Sequence, residues 1–198
     1  MIATSGNVNN PNNMIIAIYG SASNNDPKTR NVARVLGKLI AKNGHTLITG
    51  ACSGTSHEAA KAAFLEGGQV IGYSPGIDID DHITRFSDPV ECFSKLIFVP
   101  RNYEYKDNRA ACYKYRNIST ALHCDKAIII GGRFGTLNEF TLAYEFGKEI
   151  GVLDNIGGAG EVIASNLISL TLNKIEKKTG AKVVIASSVS SLAKQLGL

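Results

Sequence analysis

A chain of 198 residues with 44% hydrophobic and 19% charged residues is long enough to close one sizeable core, so a single α/β domain is expected. Its formal net charge of +4 comes without any Lys/Arg run interleaved with aromatics, which points away from nucleic acid and towards a small phosphorylated ligand. Four cysteines without a Cys-x-x-Cys pair, and no apolar run of membrane-spanning length or signal peptide, predict a reduced, cytoplasmic protein that does not engage a membrane.

Residues 1–13 are rich in Asn, contain Pro11 and lack periodicity, which predicts a disordered leader ahead of a domain spanning 14–198. An apolar strand at 14–19 then runs into Gly20 and Ser21. Val32, Val35, Leu36, Leu39 and Ile40 follow at helical spacing, closed by Gly44. A second strand at 45–49 enters a turn of small residues containing Gly50, Ser53, Gly54 and Thr55, with an Ala-rich helix over 56–66 and a strand at 69–73 after it. The polar connection 74–89 is long for a compact domain and reads as a lid. Next come a strand at 95–99, a helix at 107–123, a strand ending at Ile130 and a helix opening at Thr136. A strand at 150–153, a helix at 161–178, a strand at 182–186 and a terminal helix complete the chain. Repeated βα units with short apolar strands imply a Rossmann-like, doubly wound parallel sheet with helices on both faces.

In such sheets ligands bind beyond the C-terminal ends of the strands, where all three glycine-rich turns lie. The third turn, Gly131, Gly132, Arg133, Phe134, Gly135 and Thr136, can gather backbone N–H groups at a helix N-terminus and so hold an anion, most simply phosphate. None of the turns matches G-x-G-x-x-G or the P-loop, which disfavours dinucleotides and nucleoside triphosphates. Glu139 has two readings: Thr136-x-x-Glu139 has capping-box spacing, and a carboxyl beside an anion site is also a candidate for chemistry. Thr55-x-x-Glu58 repeats that spacing and reads as a cap. In the helix 107–123, Ala111, Tyr115, Ile118 and Leu122 form an apolar stripe expected to face the core, with Lys106, Arg109, Tyr113 and Arg116 on the adjacent face. No metal site is expected. His57 and Glu58 near Cys52 lack a second histidine, and Asp78, Asp80 and Asp81 read as solvated acids.

Tyr115-Arg-Asn117, Cys124 to Gly132, Gly135-Thr-Leu-Asn-Glu139 and Ala143 to Lys148 together resemble the Lonely Guy (LOG) family and its wider superfamily of Rossmann-like nucleotide-binding proteins. The resemblance covers most of residues 14–153. It implies hydrolysis of a nucleoside 5′-monophosphate, of the AMP or cytokinin ribotide type, to free base and ribose 5-phosphate without a cofactor. By that resemblance Arg116 and Glu139 are catalytic, and Gly131, Gly132, Gly135 and Thr136 form the phosphate cradle. Gly50 to Glu58 takes the place of the family's other glycine-rich motif. Ile130 stands where the LOG motif has proline, Arg133 adds a cation, and Asn117 replaces a lysine. The Arg-Asn pair is similar to the neighbouring branch of molybdenum-cofactor carriers, which implies the alternative of a non-catalytic nucleotide or pterin-cofactor binder. The resemblance also implies a homodimer, and Tyr113, Tyr115, Phe140, Tyr144 and Phe146 are the aromatic residues expected to supply exposed surface for it.

Overall fold

Apolar runs four to six residues long, bounded by turns, suit strands covered on both faces, and parallel pairing is the arrangement that covers them. The computed structural model describes residues 13–23, 26–167 and 179–198. Among these, the strands are β1 (Ile15–Gly20), β2 (Thr46–Thr49), β3 (Val70–Tyr73), β4 (Lys95–Ile97), β5 (Lys126–Ile130), β6 (Glu149–Leu153) and β7 (Lys182–Ala186). All pair in parallel in the order β4-β3-β2-β1-β5-β6-β7. The α/β, doubly wound sheet expected from the sequence is therefore present. Its direction reverses between β1 and β5, where Gly20 is in register with Ile130.

The helices are α1 (Pro27–Lys42), α2 (Thr55–Leu65), α3 (Ile79–Asp81), α4 (Arg109–His123), α5 (Phe134–Glu145), α6 (Gly158–Val162) and α7 (Val189–Leu196), with π-helical turns at His82–Phe86 and Ile163–Leu167. Alternation along β1 divides the core. Ile16 and Ile18 pack with Ala33, Leu36, Ile40, Ala59, Leu192 and Leu196 from α1, α2 and α7. Ala17 and Tyr19 pack on the other face with Ala121, Phe140, Ala143 and Ile163.

Several expectations change. The leader, up to residue 12, and residues 168–178 of the helix expected at 161–178 lie outside the described residues. The connection 74–89 is anchored rather than free. His82 is fully buried between Ser74 Oγ at 2.8 Å and the Pro89 carbonyl at 3.1 Å, and Phe86 packs edge-on against Tyr113. Asp78 and Asp81 are engaged too, since Asp78 accepts from the Asp81 N–H and pairs with Arg101, and Asp81 accepts from the Ile77 N–H.

The largest correction concerns α4. It buries Cys112, Arg116, Asn117, Thr120 and Ala121, whereas Ile118 is 43% and Leu122 52% exposed. Ile118 and Leu122 of the stripe face outward while Tyr115 packs beside Phe86, Val99 and Cys112, because the opposite face has partners on α5: Asn117 Nδ2 donates to Asn138 Oδ1 at 3.0 Å and Arg116 Nη1 lies 3.9 Å from Glu139 Oε1. Likewise Val35 of α1 is 43% exposed, and Phe140, expected at the surface, is buried.

Helices α1 and α2 cross at Gly37, where an added Cβ would lie 2.2 Å from the Ala59 carbonyl oxygen. Gly37→Ala gains about 1 kcal/mol of helix propensity but forces backbone against backbone, at the upper end of the roughly 1–3 kcal/mol range for overpacking. Urea unfolding should give a lower midpoint with an unchanged slope. An equal or higher midpoint would show that the two helices separate freely.

Candidate functional site

Helix starts show where unused charge lies. Asp26 caps α1 by accepting from the Thr29 N–H at 2.8 Å, Asn108 caps α4, and Ser188 caps α7. No side chain caps α2, α5 or α6, whose N-cap residues are Gly54, Arg133 and Gly157. Two of these are served by backbone. The Thr55 N–H of α2 donates to the Ser21 carbonyl at 2.9 Å, and the Ala159 and Gly160 N–H groups of α6 donate to the carbonyls of Gly132 and Gly131 at 2.9 and 3.2 Å. Among the described residues nothing takes up the first donors of α5, which leaves them and the helix's partial positive charge to face an anion.

Gly131 and Gly132 take φ of +58° and +96°, which side-chain-bearing residues rarely adopt. That conformation sends their carbonyls to α6, and the N–H of each trans peptide points the opposite way. Helix α5 opens at Phe134, two residues before the predicted Thr136. Arg133 holds extended backbone as the N-cap, and the chain becomes helical directly after it. Glu139 is thus the sixth residue of the helix, too far along for a capping box. Glu58 is no cap either: it pairs with Arg34 at 2.7 Å and Arg30 at 3.8 Å.

Beside the start of α5 lies a cavity of about 150 Å³ lined by Gly20, Ser21, Ala22, Cys52, Arg116, Asn117, Arg133, Gly135, Thr136 and Glu139. The structure thereby brings together most of the sequence candidates at the β1/β5 switch point. Others stand behind the wall. Gly131 and Gly132 shape the turn, and Ser53, Gly54 and Thr55 fix the second turn against the first through Ser53 Oγ to the Ala22 carbonyl and Thr55 N–H to Ser21. Phe134 points into solvent, 88% exposed. Gly50 makes room for a side chain from elsewhere, because a Cβ there would fall 1.2 Å from Arg116 Nη1 and the guanidinium occupies the space that it would fill. Ala22 and Cys52 were not anticipated as lining residues, although Cys52 belongs to a turn already singled out by its glycines.

Arg116 and Glu139 are both more than nine-tenths buried, with Nη1 and Oε1 3.9 Å apart. Burial pushes the Glu139 carboxyl up to about 7, and Arg116 and Lys114 only partly oppose it. One contact at that distance is weaker than a bidentate pair and leaves the desolvation penalty dominant. Burial also raises the Cys52 thiol, against the pull of Arg116. Arg116 Nε, Asn117 Oδ1 and Thr55 Oγ1 are buried without a hydrogen-bond partner among the described residues. Orphaned polar atoms are costly, and the two on residues that line the crevice, Arg116 Nε and Asn117 Oδ1, mark a place for a polar ligand.

A family model described as the SLOG cluster4 family matches residues 13–193. The chain belongs to the SLOG cluster4 family. A relative from Archaeoglobus fulgidus, an uncharacterized protein, is 30% identical over 140 residues, covering 71% of this chain and 80% of its own. The fold is also that of the molybdenum cofactor binding protein from Rippkaea orientalis (TM-score 0.71, 23% identity, 95% of this chain and 98% of that one). The molybdenum cofactor carrier protein of Chlamydomonas reinhardtii shares it as well (TM-score 0.65, 24% identity, 93% and 96%). Membership confirms the superfamily suggested by the glycine turns and the Arg-Asn pair. No helix among the described residues is long and apolar enough to cross a membrane.

The raised Glu139 pKa has a signed consequence. Between its ordinary value of 4.5 and about 7 the folded protein keeps a proton that the unfolded chain has released, so this residue's contribution to stability falls as pH rises through that window and then levels off. Glu139→Gln stays neutral throughout. Its advantage over the wild type should grow from nothing below pH 4.5 to on the order of 3 kcal/mol above pH 7. Denaturant unfolding at pH 4.5, 6 and 8 measures it, and a constant difference across the three would mean that burial does not raise the Glu139 carboxyl.

Proposed function

We propose that the protein binds a nucleoside 5′-monophosphate in this crevice and hydrolyses its N-glycosidic bond to free base and ribose 5-phosphate, with residues 14–198 acting as one nucleotide-binding domain. The observation that carries the reading is that a buried carboxyl with no capping role shares a small cavity with a buried guanidinium and an uncapped helix N-terminus. Phosphate goes to the N–H groups at the start of α5, with Thr136 and Arg133 beside it. Arg116 holds the phosphate or the ribose. Asn117 Oδ1 accepts from a ribose hydroxyl. As the glycosidic bond breaks, the ribose gains oxocarbenium character; ionised Glu139 stabilises that charge and orients the attacking water.

A second reading, storage or delivery of a phosphorylated pterin-type cofactor without turnover, is favoured by Asn117 in the place of the LOG-type lysine and by the cofactor-binding proteins that share the fold. Both readings use the same anion site, and they part at Glu139. Incubation with AMP followed by chromatography should yield adenine and ribose 5-phosphate in equal amounts, with turnover falling at least about 100-fold in Glu139→Gln while AMP still binds. AMP that binds to the wild type and is recovered intact would reject hydrolysis and leave the carrier reading.

The outward stripe of α4 supports a two-fold homodimer in which Ile118 and Leu122 meet their counterparts. Light scattering should return twice 21.1 kDa, and Leu122→Glu should halve it. A wild-type monomer at micromolar concentration would overturn the dimer.

A further inference from the structure

Phe134 is the most exposed large hydrophobic side chain among the described residues, at 88%. It opens α5 between Arg133 and Gly135, both of which line the crevice. Nothing in the fold uses its ring: it belongs to none of the three core clusters and to none of the ring pairs among the described residues. Helix propensity does not explain it either, because first-turn positions favour proline and acids.

The size of the crevice supplies a use. Its volume of about 150 Å³ is half the lower end of the roughly 300–1,000 Å³ range for sites that enclose drug-sized ligands. A ribose phosphate is of the right order to fill it. An attached heteroaromatic ring then emerges over the rim, where Phe134 stands in the chain between the lining residues Arg133 and Gly135 with its own side chain out in solvent.

We propose that Phe134 is a stacking platform for the ring of the ligand, so that the protein recognises phosphate through fixed donors in the crevice and the ring by its face outside it. The proposal rests on the phosphate reading of the crevice and adds a selectivity rule. Stacking uses a π-face that every base has and reads no edge hydrogen bonds. The site is therefore strict for the phosphate, demands an aromatic substituent on the sugar, and discriminates little between rings that differ only in amino and oxo groups.

Calorimetric titration of ribose 5-phosphate, AMP and IMP into the wild type and Phe134→Ala tests this, with the series repeated in the Glu139→Gln background so that AMP is not consumed. In the wild type AMP should bind about 5- to 100-fold more tightly than ribose 5-phosphate, with IMP within about threefold of AMP. Phe134→Ala should remove most of that preference and leave the ribose 5-phosphate affinity unchanged; Phe134→Trp should keep it. An undiminished preference in Phe134→Ala overturns the platform. So does an equal loss for all three ligands, which would assign Phe134 to shaping the turn, or a changed mass in light scattering, which would assign it to a chain contact. Failure of ribose 5-phosphate and AMP alike to bind the wild type instead rejects the phosphate reading beneath it.

Discussion

A guanidinium held inside a protein is the constraint from which the rest of this site follows. Arg116 is 8% exposed, and a charge so placed is tolerated only with compensation from its surroundings. Gly50 supplies the room by having no side chain, and Glu139 supplies an opposite charge at 3.9 Å. The compensation is incomplete, since Nε has no hydrogen-bond partner among the described residues and the Glu139 carboxyl is itself pushed towards neutrality. A site tuned only for stability would have closed that gap with a bidentate pair. Leaving it open keeps both groups available to a third participant.

The sheet explains why the participants meet. Strands β1 and β5 are neighbours in space though more than a hundred residues apart in the chain, and the reversal of strand order between them leaves a gap above their C-terminal ends. Turns 20–23 and 131–136 border that gap directly, and turn 50–55 is stapled to the first of them through Ser21, Ala22 and Ser53. Asp88, whose Oδ1 accepts from the Ser53 N–H at 3.2 Å, ties the anchored segment 74–89 to the same corner.

Much of the fold was legible because it depends on local rules. Short apolar runs bounded by turn residues located the strands to within one or two residues, and the strand–turn–helix rhythm gave the parallel sheet. The candidate site was legible as a set of turns but not as a geometry. The spacing of Thr136 and Glu139 is the same for a cap as for a site carboxyl, and only the actual start of α5 at Phe134 separates them. The α4 stripe misled for a related reason. Hydrophobic periodicity identifies which face of a helix is apolar, whereas the choice of which face turns inward was made by Arg116 and Asn117, whose partners Glu139 and Asn138 lie on α5. Gly50 read as a phosphate turn because the sequence carries no sign of an arginine 66 positions away lying across it.

The bonds from Ala159 and Gly160 to the carbonyls of Gly132 and Gly131 join two helices through two peptide groups. Each of these peptides is a dipole with its negative end on α6, so its positive end is turned away from that helix. Helix α6 is in this way wired in series with the glycine turn and adds to the positive potential there without contacting anything that binds. The electrostatic footprint of the crevice is accordingly larger than its lining. For an anion bound at that turn as proposed, α6 would therefore set part of the field from outside the lining.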